Sequence, residues 1–397
     1  MSAKDRLLAP PDPSYAAAGD LLRVLCVAGI GWYHIWQQSW LAPVIAVGGF
    51  RLDLTPWVRT GYLLVDLMLA LSGFLAYLPY ANGKERPARE FYVRRALRIL
   101  PSYWFCLVVM LVMAVSAPGF NDPRRLMKDL LAHLFFVHDL WSFSYNASQL
   151  NVVLWTLAVE VQFYLILPAL APVFRKRPAA TWLIMTGAGL SFMYIWTLPM
   201  PDTTLFVNRL PNMLVVYANG MLAAHLYAKL AQVEKRRALL MLAGAAACAA
   251  SVWGIIIMMK AQSFTSGYDL IRAGQLRRRW LLSLCGAGIL LGGSLTFAPL
   301  RAMLSNRAVR FLSGISFNFY IWHQWVSVRL KDLRIPPYAA PENPQIAGEM
   351  PWQLHYTLLC FLAALIAATL LTYLIEKPAA KLGRRLIDKI TVERKET

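Results

Sequence analysis

Apolar residues gather into stretches at about 20–40, 60–80, 98–116, 150–173, 179–198, 208–228, 237–259, 280–297, 309–329 and 353–375. Each is close to the roughly 20 residues a helix needs to cross a bilayer. The pattern predicts an all-α integral membrane protein, with about ten transmembrane helices in one polytopic bundle over residues 20–378. A polar, Pro-rich tail precedes the bundle at residues 1–19, and a basic tail follows at 379–397. Two connections are longer than turns. Residues 117–149 contain an amphipathic stretch, Leu126 to Phe136, expected to lie at the interface or re-enter the bundle. Residues 330–352 form a Pro-rich loop. Neither an internal repeat nor a soluble domain is visible in the pattern.

Composition agrees with this reading. The chain is 58% hydrophobic and 15% charged, with mean hydropathy +0.47, where soluble proteins sit near 45–50% and about 25%. A net charge of +19 could suit nucleic acid. The basic residues, however, cluster between apolar stretches as the positive-inside rule describes, so no nucleic-acid partner is expected. With the N-terminus inside, 26 of the 40 Lys and Arg fall in inside segments, which places both termini in the cytoplasm. Arg277 to Arg279 dissent, because this topology puts them outside. The first span carries Asp20, Arg23 and His34, too polar for a cleaved signal peptide, and is expected to be retained. Cys26, Cys106, Cys248, Cys285 and Cys360 lie in apolar stretches without paired spacing, so neither a disulfide nor a metal site is expected.

Candidate chemistry begins with Arg23 and His34. Eleven residues apart on a helix, they share one face and lie about 16 Å apart along the axis. The segment between them is apolar. Polar side chains within a bilayer are costly and mark pathways or sites. An imidazole there can act as a general base or a transient nucleophile; the plain alternative is a hydrogen bond between helices.

Asp66, in the second span, is an intramembrane carboxylate expected to be neutral or paired, with His34 or an arginine as partner. Ser72 and Gly73 fit close helix packing. In the fourth span Glu160 sits ten residues in, one turn from Tyr164. A buried carboxylate can be an acid, a base or the orienter of a histidine, or it can form a structural ion pair with Arg98 or Arg23. The third span opens with Arg94, Arg95 and Arg98 near the cytoplasmic edge, where guanidinium forks suit phosphate oxygens. Anchoring to anionic membrane lipid is the rival role. No P-loop, dinucleotide-binding glycine loop, GxSxG or HExxH is present, so a phosphate-bearing donor would have to use arginines.

Together these segments resemble the membrane-bound acyltransferase-3 family of bacteria, which O-acylate sugars and related acceptors. That family's pattern opens with an Arg, ten residues and a His, here Arg23 and His34. Val65 to Phe74 looks like its "VDLFFVLSGF", Phe91 to Pro101 like its "F…RR..RI.P", and Trp155 to Tyr164 like its "WTL..E..FY". Ser316 to His323 and Tyr373 to Pro378 look like its closing segments. The likeness covers residues 20–168 and 312–378, whereas residues 180–300 match only in hydropathy. Met68 and Leu69 replace the usual Phe pair, and Asn318 falls where the family varies. No appended hydrolase-like domain is expected from this pattern, so a second-stage transfer partner is expected to be another protein, or none is needed.

The resemblance implies acyl-CoA, with acetyl as default, as donor, a sugar or cell-surface glycan hydroxyl as acceptor, and a place in the bacterial plasma membrane. Arg23, Arg94, Arg95 and Arg98 would then hold the phosphates of coenzyme A. His34 would serve as base or acyl carrier, Glu160 or Asp66 would orient it, and Tyr164 would help stabilise the oxyanion. A transporter or flippase for a polar or lipid-linked substrate would use the same intramembrane polar residues and is the competing expectation. No oligomeric state is assigned.

Overall fold

The computed structural model describes residues 6–85, 87–117, 120–338 and 343–383. The outermost parts of both expected tails, residues 1–5 and 384–397, lie outside them. The described chain is mostly helical. Its principal helices are α1 (Ala18–Ser39), α2 (Leu64–Ala81), α3 (Ala88–Val115), α4 (Pro123–Leu134), α5 (Trp155–Lys176) and α6 (Pro178–Ser191). They continue with α7 (Leu210–Leu230), α8 (Arg237–Ser263), α9 (Tyr268–Leu295), α10 (Arg307–Asp332) and α11 (Met350–Leu371). Each apolar stretch of the sequence falls on one of these helices.

Six helical segments are long and apolar enough to cross a membrane: Gly61–Ala81, Ala88–Val115, Val152–Lys176, Pro178–Thr197, Arg237–Ser263 and Met350–Gly383. Most of these lie at the rim. On α11, Leu354, Leu358, Leu362, Ile366 and Leu370 recur every fourth residue and are all exposed, a stripe suited to lipid. The remaining expected spans, on α1, α7, α9 and α10, mix polar with apolar side chains. Fourteen of the 21 residues of α7 are buried, and α10 packs between α1 and α11. Hydropathy thus picks out mainly rim helices, the largely buried Gly61–Ala81 segment being the exception, and passes over helices that mix in polar groups.

Small residues set the closest helix approaches. Gly73 of α2 meets Tyr217 of α7, and a Cβ there would sit 3.1 Å from the Tyr217 ring. Gly220 of α7 lies against the Ala70 carbonyl, leaving no room for a side chain. The interior is also tied by charge. Asp66 of α2 and Arg279 of α9 form an ion pair at 3.1 Å, both side chains fully buried. The Arg279 guanidinium also donates to the Val207 carbonyl and, at 3.1 Å, to Asn208 Oδ1.

Two features depart from the sequence expectation. The chain between α1 and α2 carries a hairpin, β1 (Val44–Val47) with β2 (Phe50–Asp53), so the fold is not purely helical. Gly48 and Gly49, at φ +56° and +84°, supply the turn that this tight connection needs. Arg277 to Arg279 are not loop residues, because α9 begins at Tyr268 and takes Arg279 into the core.

The amphipathic stretch after residue 117 does form a helix. Asp122 caps α4 by accepting from the Arg125 amide at 2.9 Å. Met127, Leu131 and Leu134 are exposed while Leu126, Asp129, Ala132 and His133 are buried, so α4 leaves part of its apolar side outward and takes two polar groups inward. His133 lies 3.0 Å from Asp129 and its ring stacks on His138 at 3.9 Å between centroids.

Candidate functional site

α1 is one uninterrupted helix, so the spacing arithmetic applies to it directly. Arg23, Val27, Ile30, His34 and Gln37 follow one another at intervals of three or four. This face borders two cavities in succession. Arg23 and Val27 line a chamber of about 610 Å³. Ile30, Tyr33, His34 and Gln37 line a second, of about 1350 Å³. Tyr320 of α10 borders both. Its hydroxyl donates to the Val153 carbonyl at 3.2 Å and accepts from Thr156 Oγ1 at 3.0 Å, which fixes the ring between the chambers.

The first chamber is built around cations. Arg23 from α1 and Arg95 and Arg98 from α3 face it, with Ser72 of α2 and Glu160 and Tyr164 of α5. Among the described residues none of these three arginines forms a direct ion pair. Arg23 feels the like charge of Arg98 and the opposite charges of Asp20 and Glu160. Arg95 lies over the Tyr164 ring, 4.7 Å from its centroid, and donates to the Tyr164 hydroxyl at 3.4 Å. Glu160 accepts from both Tyr164 and Ser72, whose hydroxyls are 2.7 Å apart. The lining itself holds one carboxylate against three guanidiniums, with Asp20 and Glu376 behind it acting on Arg23 and Arg98, so its surface offers guanidinium forks to an anion.

The second chamber is built around His34. Gln37 Nε2 donates to the Tyr33 hydroxyl at 3.1 Å, so the amide oxygen faces the imidazole, where His34 Nδ1 donates to it at 2.9 Å. That hydrogen bond leaves the lone pair on Nε2, the state a general base needs. A second imidazole lies beside it: the rings of His34 and His323 are 5.2 Å apart. His323 donates from Nδ1 to the Tyr320 carbonyl at 2.7 Å, and its Nε2 has no partner among the described residues. Aromatic and amide side chains, among them Tyr62, Trp155 and Asn208, complete the wall together with Arg272. Such a lining suits a polyhydroxylated ring.

The structure separates residues that the sequence reading grouped. Asp66 lines neither chamber, since its partner is Arg279. Glu160 and Tyr164 stand among the arginines and bond each other, so among the described residues the hydrogen-bond partner of His34 is the Gln37 amide and not a carboxylate. Arg94 is turned away from its neighbours and pairs with Glu90 at 2.8 Å on an exposed face. Ser72 hydrogen-bonds in the arginine chamber and is not merely a packing residue. Gln37 was outside the expected set, while Tyr320 and His323 share a helix face in the sequence but carried no assigned role. Helical spacing carries a signal for Gln37, three residues after His34, and for the Tyr320 and His323 pair.

A family profile described as "Acyltransferase domain" matches residues 17–375. The peptidoglycan O-acetyltransferase OatA of Listeria monocytogenes is 26% identical over 307 residues, 70% of this chain and 47% of that protein. The O-acetyltransferase OatA of Staphylococcus aureus is 32% identical over 178 residues, 42% of this chain and 27% of that protein. Nodulation protein 10 of Rhizobium leguminosarum bv. viciae is 29% identical over 189 residues, 43% and 48%. The chain thus spans less than half the length of each of these relatives. No solved structure matches.

Proposed function

The chain belongs to the acyltransferase-3 family, and from that membership we propose that it is a membrane-embedded O-acyltransferase moving an acyl group from cytoplasmic acyl-CoA to a sugar or glycan hydroxyl. One observation carries the reading: a single face of α1 places Arg23 in a cationic chamber and His34 in an aromatic, amide-lined one. The family relatives named for peptidoglycan and other O-acetyl transfer support the glycan as acceptor class and acetyl as the simplest acyl group.

In this reading Arg23, Arg95 and Arg98 hold the phosphates of coenzyme A at the cytoplasmic edge, and the pantetheine arm runs along α1 toward Tyr320. Tyr164 and Glu160 position the arginines through the ring contact and hydrogen bonds already described. The acceptor hydroxyl enters the second chamber and gives its proton to His34 Nε2. Its oxygen attacks the thioester carbonyl, the C–S bond breaks, and the thiolate leaves, taking the proton back from the His34 imidazolium. A two-step variant passes the acyl group through His34 itself. A positioned base accounts for about 10²–10⁴ in rate. The proposed topology has ten spans with both termini cytoplasmic, in the bacterial plasma membrane, α1, α7, α9 and α10 forming its polar centre.

The test is transfer of radiolabel from acyl-CoA to cell-envelope glycan by the purified chain in lipid nanodiscs. Label should appear with the wild type and vanish with His34→Ala while that variant stays folded in the membrane. Unchanged transfer by His34→Ala would sink the reading.

A further inference from the structure

A third cavity, of about 500 Å³, opens between α1, α10 and α11. Its wall is apolar: Val24 and Ala28 of α1, Phe319 of α10, and Phe361 and Leu365 of α11. Two further residues, Val27 and Ser316, line it and the arginine chamber alike, so the two spaces adjoin. Ser316 turns its hydroxyl to the Ser313 carbonyl at 2.7 Å, which leaves nothing polar free to greet a charged or hydrogen-bonding ligand. The cleft is partly open to the bundle surface, so its apolar wall needs hydrocarbon against it, from lipid or from a ligand.

Its height along α1 says which one. Val24 to Ala28 lie between Arg23, where the donor phosphates bind, and His34, where the acyl carbon reacts. This is the level a thioester crosses on its way inward. We propose that the cleft holds the hydrocarbon tail of the donor, so that the enzyme accepts acyl groups longer than acetyl. The proposal rests on the donor site described above. From a thioester beside His34 the tail folds back about 9 Å along α1, into the cleft between α1 and α11, while the pantetheine arm keeps to the arginine chamber.

The experiment uses the full chain in nanodiscs and a series of non-hydrolysable thioether analogues of acyl-CoA with two, four, six and eight carbons, with free coenzyme A as reference. Affinity should rise with length by up to roughly fourfold per buried methylene and level off when the cleft is full. Ala28→Phe on α1 and Leu365→Trp on α11 should each flatten that rise and leave the two-carbon analogue within about twofold of wild type. Having the two variants on separate helices guards against a fault in the folding of one. If the dependence on length is flat in the wild type, or persists in both variants, the tail lies in the surrounding lipid and the proposal is wrong, while binding of free coenzyme A would still uphold the donor site. If free coenzyme A itself does not bind, the donor reading falls and takes the cleft assignment with it.

Discussion

His34 Nδ1 lies 2.9 Å from Oε1 of Gln37, one turn further along α1. The bond selects a tautomer by geometry and uses a neutral amide. A carboxylate in that place would stabilise the imidazolium, whereas the amide leaves the ring neutral and its Nε2 free to accept a proton. Gln37→Leu should therefore keep the fold and lower kcat by about tenfold or more, short of the roughly 10²–10⁴ lost in His34→Ala. Steady-state kinetics of the two variants decide it; equal kcat for Gln37→Leu and wild type would exclude the orienting role.

The buried pair of Asp66 and Arg279 makes a different kind of prediction. Asp66→Ala leaves a guanidinium stranded in the core and should cost about 3–5 kcal/mol, read as loss of folded protein in thermal unfolding. Replacing both partners with apolar residues, Asp66→Leu with Arg279→Met, should recover most of that loss, because neither charge is then left unpaired. Acyl transfer should recover with it. A double variant that is stable but inactive would return Asp66 to the catalytic set.

The four arginines should separate in kinetics. Arg23→Ala, Arg95→Ala and Arg98→Ala should each raise KM for acyl-CoA by about tenfold or more, since each removes a charge-assisted contact to phosphate. Arg94→Ala should change KM less than twofold, as its exposed pair with Glu90 is worth only about 0.3–0.5 kcal/mol. A large effect at Arg94 would place the donor elsewhere.

Acid should loosen the connection that follows α4. His138 lies outside the spanning helices, and burial, helped by the neighbouring charge of His133, pushes its imidazole down to about 3. Asp129, Asp139 and, near Asp139, Arg209 complete the charged surroundings. The unfolded chain takes up a proton near the ordinary value of about 6.5, but the folded chain does not until far lower pH. Stability is therefore fully present above about pH 6.5 and falls as pH drops toward 3. Thermal unfolding between pH 7 and 4 should show this slope, and His138→Phe should flatten it.

Much of this was legible in the chain. The apolar runs locate the helices, and the interval of eleven residues aligns Arg23 with His34 because α1 has no break. Partners remote in sequence were not legible. Asp66 finds Arg279 213 residues away, through packing of α2 on α9 that no local spacing encodes. Arg94 and Arg95 differ by one position, about 100° around a helix, and only the third dimension shows which of them meets Arg98 and Tyr164. The Gly48-Gly49 hairpin carried a local signal, two glycines between short apolar runs, that the helical reading passed over.

Tyr320, held between the chambers by Thr156 and Val153, has an electrical consequence. If each chamber is open to one side of the membrane, the potential across the bilayer falls mainly over the thin septum this ring provides. Moving one elementary charge through 100 mV costs or releases about 2.3 kcal/mol. Coenzyme A, with its several phosphates, would have to bear that work many times over, whereas an acyl group is neutral and bears none. On the proposed mechanism the septum would sort the two halves of the donor by charge: a neutral acyl group would pass to the acceptor under any membrane potential, while its charged carrier would stay on the side from which it came.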